Sequence, residues 1–80
     1  AYKYIGRVLM DNDYEDLAFD YFNKSISLIP SDYESYFHLG ELYLRRNDTS
    51  KAIFSYKKVL QFNPYHTPAE KILNKLLNNY

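Results

Sequence analysis

The sequence has no cysteine, no tryptophan, only two glycines and no excess of charge. Each shortage excludes something. Without cysteine there are no disulfides, no thiolate metal sites and no cysteine nucleophile. With only Gly6 and Gly40, no glycine-rich loop exists to cradle a phosphate. Ten Lys and Arg balance ten Asp and Glu, whereas a chain devoted to nucleic acid carries a basic excess. No apolar run approaches the ~18 residues that read as a membrane span, and no secretory leader pattern is visible. Gly-x-Ser-x-Gly and His-Glu-x-x-His are missing too, and His38 and His66 lie far apart. Asp11, Asp13 and Glu15 alternate but lack the glycine and the final glutamate of a calcium loop. With Asp16 they read as charges at helix ends. The expectation is a protein without catalysis, metal or cofactor, binding neither nucleic acid nor membrane.

What is abundant is aromatic: ten Tyr and five Phe among 80 residues. Each ring buries ~150–250 Å², which suits a single small domain that must build its core unaided. Most tyrosines therefore read as core filler with a polar tip. The sequence also matches itself when displaced by 34 residues. Tyr2 meets Tyr36, Ile5-Gly6 meets Leu39-Gly40, Leu9 meets Tyr43, and Asp13 meets Asn47. Ala18 meets Ala52, Phe22 meets Tyr56, Lys24 meets Lys58, and Pro30 meets Pro64.

In the second copy, Tyr36-x2-Leu39-Gly40-x2-Tyr43, Ala52-x3-Tyr56 and Pro64 resemble the tetratricopeptide repeat pattern Trp-x2-Leu-Gly-x2-Tyr, Ala-x3-Phe, Pro. The first copy follows with Tyr2, Ile5-Gly6, Leu9, Ala18, Phe22 and Pro30. The resemblance implies an all-α, right-handed superhelical solenoid of helix-turn-helix units. Residues 1–32 form repeat one, 33–66 repeat two and 67–80 a terminal helix. The chain begins at Ala1 and reads as part of something longer.

Helices are expected over 1–12, 14–28, 33–46, 48–62 and 68–79. Asp13 and Asn47 are placed to cap the second helix of each repeat. Ser31-x-x-Glu34 looks like a capping box, and Thr67-Pro68-Ala69-Glu70 like a cap followed by proline at the first helical position. Gly6 and Gly40 fall inside helices, where glycine costs ~1 kcal/mol against alanine. Close approach to Ala18 and Ala52 would offset that cost; a hinge is the alternative. In the last helix Ala69, Ile72, Leu73, Leu76, Leu77 and Tyr80 form one stripe. Lys71, Lys75, Asn78 and Asn79 oppose it. That helix reads as a solvating end to the array, or as the first helix of another repeat.

The family lines a concave groove with the first helix of each pair. Carried over, that helix supplies Lys3, Tyr4, Arg7, Met10 and Asp11 in repeat one. Repeat two supplies Glu34, Phe37, His38, Glu41, Leu44 and Arg45, and the last helix Lys71, Ile72 and Lys75. Met10, Leu44 and Ile72 also suit packing between helices. The candidates for peptide contact are thus Lys3, Tyr4, Arg7, Phe37, His38, Glu41, Arg45, Lys71 and Lys75. Lys3, Arg7, Lys71 and Lys75 would favour an acidic ligand. The repeats that clamp the acidic tails of chaperones need Lys and Asn, then Asn, then Lys and Arg. The matching places here hold Lys3, Arg7, His38, Pro68 and Ile72, so no clamp is expected. Lys51, Ser55, Lys57 and Lys58 form a basic strip on the fourth helix, read as a solvated face.

The functional expectation is a module that binds a peptide or helix of a partner protein, within a scaffold, adaptor or co-chaperone-like protein. Self-association through exposed ends is the alternative, with Ile5, Val8 and Leu9 the stickier end. The compartment stays open.

Overall fold

Among the described residues, polar turns at 12–14, 29–32, 46–48 and 63–66 separate five helices. The computed structural model describes residues 1–78. In order these are α1 (Tyr2–Asp11), α2 (Glu15–Leu28), α3 (Tyr33–Arg45), α4 (Thr49–Phe62) and α5 (Thr67–Asn78). The expected boundaries agree to within a residue or so; Asn79 and Tyr80 lie outside the described residues. Each helix packs on the next, and α1 also reaches α3.

The caps differ from expectation. Asp13 and Asn47 have φ of 65° and 59°, the left-handed conformation that closes the preceding helix. Behind them Tyr14 N–H donates to the Leu9 carbonyl and Asp48 N–H to that of Tyr43, both at 2.9 Å. Glycine usually fills that position, and Asp and Asn tolerate it best among the rest. The cap of α4 is instead Asp48, which accepts from Lys51 N–H at 3.2 Å. No side chain caps α2. The Ser31–Glu34 box does not form, because Asp32 is the residue before α3 and accepts from Ser35 N–H. At α5 the helix starts at Thr67 itself. The cap therefore falls one residue earlier, where His66 Nδ1 accepts from Ala69 N–H at 3.1 Å.

Two apolar clusters form the core. Met10, Ala18, Phe22, Leu39 and Leu42 join α1, α2 and α3. Ala52, Tyr56, Val59, Ala69 and Leu73 join α4 and α5 beneath α3. Ala18 and Ala52 are fully buried, but the atoms nearest each glycine belong to an aromatic ring. A Cβ on Gly40 would stand 2.7 Å from Tyr56 Cζ, and one on Gly6 would stand 2.9 Å from Phe22 Cε1. An aromatic ring, one turn after the alanine, lies flush on each glycine.

The Tyr56 hydroxyl is buried without a hydrogen-bond partner among the described residues. Burial pushes its pKa up, and the charge of Glu41 adds to the effect. Phe22 holds the same place in repeat one with no hydroxyl at all.

Two substitutions test this packing. In an open helix Gly→Ala gains about 1 kcal/mol. Gly40→Ala should instead lose about 1–3 kcal/mol to overpacking, read from urea unfolding by circular dichroism. Gly40→Leu should not fold; if it folds normally, the hinge reading stands. Tyr56→Phe should equal the wild type or exceed it by up to about 2 kcal/mol, because a buried unpaired hydroxyl is removed. A clear loss would show that the hydroxyl has a partner in solution.

Candidate protein-binding groove

The first helices carry the predicted contact residues into three different situations. Some are tied to each other. Lys3 Nζ donates to Glu34 Oε1 at 3.2 Å and lies 3.6 Å from Asp32 Oδ1. Burial disfavours its charge, but the Glu34 hydrogen bond and both carboxylates outweigh burial and hold its pKa above 10.5. Arg45 turns away to Glu15 in the first turn of α2, at 3.1 Å. Beside it Arg46 reaches Glu15 at 3.9 Å and Asp16 more closely. His38 Nδ1 lies 3.1 Å from Glu41 Oε1.

Others are built into the interior. Met10 is buried, and Leu44 and Ile72 pack on the core. The Phe37 ring stands edge-on to Tyr56 with centroids 5.6 Å apart, and 5.0 Å from His66. His38 stacks on Phe22 at 5.2 Å. The rings that press on the two glycines therefore emerge beneath Phe37 and His38, where the groove would have its floor.

The remainder are open to solvent. Tyr4 is 68% exposed, with Lys3 Nζ 5.5 Å from its ring centroid. Arg7, Asp11, Lys71 and Lys75 are exposed and join no ion pair among the described residues. On the other side, Ser55 is not part of a surface strip. It is 2% exposed, and its Oγ–H donates to the Lys51 carbonyl at 3.0 Å. No group of three or more His, Asp or Glu side chains among the described residues stands ready for a metal.

A tetratricopeptide repeat family model matches residues 33–66, and a second matches residues 5–32. The chain belongs to the tetratricopeptide repeat family. Tetratricopeptide repeats are generally protein–protein interaction modules. No curated protein matches the chain. Among the described residues, no helix is long and apolar enough to cross a membrane.

Sequence reasoning missed the polar knot that joins the two tetratricopeptide repeats. Asp32, between them, accepts hydrogen bonds from Ser25 Oγ and Ser35 Oγ, each at 2.6 Å. Burial works against its carboxylate. The two serines, Lys3 and the Ser35 amide outweigh that and hold its pKa below 3.8. The hint was Asp32 standing just before an apolar-periodic run, a cap signal that Ser31 obscured.

The depressed pKa sets a sign. Asp32 contributes stability above its unfolded value near 3.8, and this is lost as pH falls through the lower folded value. Asp32→Ala should therefore cost at least the ~0.5–2 kcal/mol of a lost cap at pH 7. The gap from wild type should narrow below about pH 3.9. Thermal unfolding across pH 2–7 measures both, and a gap that widens in acid would be the wrong sign.

Proposed function

We propose that this chain holds a peptide or short helix of a partner protein along the first helices of its repeats, as part of a longer scaffold or adaptor protein. One observation carries the reading. Arg7, Lys71 and Lys75 are exposed and outside every ion pair among the described residues, while Lys3, Glu34 and Arg45 are matched inside the protein. Asp11 and Glu41 offset two of the three positive charges. The net positive balance favours an acidic segment, because complementary charge steers and orients a partner. Tyr4 adds an exposed ring with an apolar body and a polar tip.

Arg7→Glu/Lys75→Glu is the informative variant, since neither side chain holds up the fold. Phe37→Ala is not, because that ring packs on Tyr56 and His66. A capture experiment from native lysate should retain a partner on the wild type and lose it on the variant, at equal helicity. Equal retention would remove the groove from the reading.

Self-association has one observation of its own. Val8 is 60% exposed and Ile5 is 42% exposed. With Tyr4 and Leu9 they line a hollow of about 310 Å³ on α1. If this face pairs two copies, sedimentation will show a mass that rises with concentration and returns to the monomer in Val8→Glu. A constant monomer mass excludes it.

A further inference from the structure

On the opposite side of α3 from the groove, α2 and α4 leave a trough of about 430 Å³ between them. That falls within the ~300–1,000 Å³ of cavities that hold a small ligand or a few side chains. Its floor is Leu39, Tyr36 and Tyr43 of α3, and its walls carry Ile26 of α2 and Phe54 of α4. Phe54 is 57% exposed, a large ring left at the lip. The geometry points to a second docking surface here: the trough receives a short acidic segment of a partner protein, one aliphatic or aromatic side chain seated between flanking carboxylates.

Charge selects that occupant. Lys51 of α4 lines the trough, and the same helix carries Lys57 and Lys58 and no acidic residue along its whole length. Two of these lysines sit over the rings that line the trough. Lys51 Nζ lies 5.8 Å from the Tyr43 ring centroid, and Lys58 Nζ lies 5.6 Å from that of Phe54. A carboxylate arriving there meets an ammonium at the edge of an apolar slot. Lys51 is engaged only by Asp48, at a long 3.9 Å with both partners open to solvent. Lys58 joins no ion pair among the described residues. On α2 the trough is lined by Asn23 and Ile26; the exposed Asp20 lies one turn before Asn23, and Asp16 is already tied to Arg46. An anionic segment therefore lies against α4, its apolar side chain turned toward Ile26 and the tyrosines.

The test titrates the whole isotope-labelled chain with a short synthetic peptide, a phenylalanine–leucine pair flanked by glutamates, and reads the backbone amide shifts. Saturable shifts are expected at Ile26, Tyr43 and Phe54. Affinity should fall about ten-fold in Lys51→Glu/Lys58→Glu and in Phe54→Ala. It should rise in Asp20→Lys, where repulsion becomes attraction. The proposal is overturned if those amides stay still, or if the shifts sit at Arg7 and Lys71 instead. Equal binding of a lysine-flanked peptide overturns it too. So does displacement by a single-stranded oligonucleotide with a steep salt dependence, which would assign the trough to nucleic acid. A dimer lost in Phe54→Ala would assign it to a second copy. Arg7→Glu/Lys75→Glu leaves this trough untouched, so the fates of the two surfaces are read separately.

Discussion

A ring resting on a glycine is the contact on which the rest of the molecule depends. Within each repeat the two helices close only where the first has no side chain and the second has an aromatic one: Gly6 under Phe22, Gly40 under Tyr56. Glycine inside a helix forfeits conformational entropy, and burying a whole aromatic side chain more than offsets it. The same contact decides what happens on the outer side of the first helices. Because Phe22 and Tyr56 reach past the glycines, His38 and Phe37 come to rest on them. Those aromatic contacts are thus a by-product of closing the hairpins.

The seam between the repeats has a different character. Asp32 serves at once as helix cap, acceptor for two serines and partner of Lys3, so three helices meet at one carboxylate. Farther along, Arg45 and Arg46 tie the end of α3 to the start of α2. Several charges that look like ligand contacts on a helical wheel are therefore spent on holding one repeat to the next. Among the described residues Arg7, Lys71 and Lys75 stay outside those pairs.

Much of this was legible in the residues. The 34-residue self-match located both hairpins, and proline and turn residues located the helix ends. The caps were harder to read. Asp and Asn serve both to begin a helix and to adopt positive φ, and only backbone geometry separates the two uses at Asp13 and Asn47. The ring nearest each glycine was not legible, because alanine and the aromatic one turn later share a face and the longer side chain arrives first. The pairing of the charged residues on the first helices was half legible. Periodicity says which face a residue occupies, but Lys3 with Glu34 and Arg45 with Glu15 are pairings created by docking one repeat on another. The trough between α2 and α4 was invisible for the same reason, since its floor and walls come from three helices.

The seam at α5 is built otherwise. It rests on Ala69, Leu73 and their apolar neighbours together with the His66 cap, and among the described residues no ion pair crosses it. Apolar cohesion weakens on cooling, while added salt screens exposed charges and leaves apolar contacts alone. The two seams consequently have different weaknesses. Cooling weakens the mainly apolar seam at α5, whereas added salt acts on the more exposed Arg45–Glu15 pair at the joint between the repeats, so temperature and ionic strength probe different joints of the same short array.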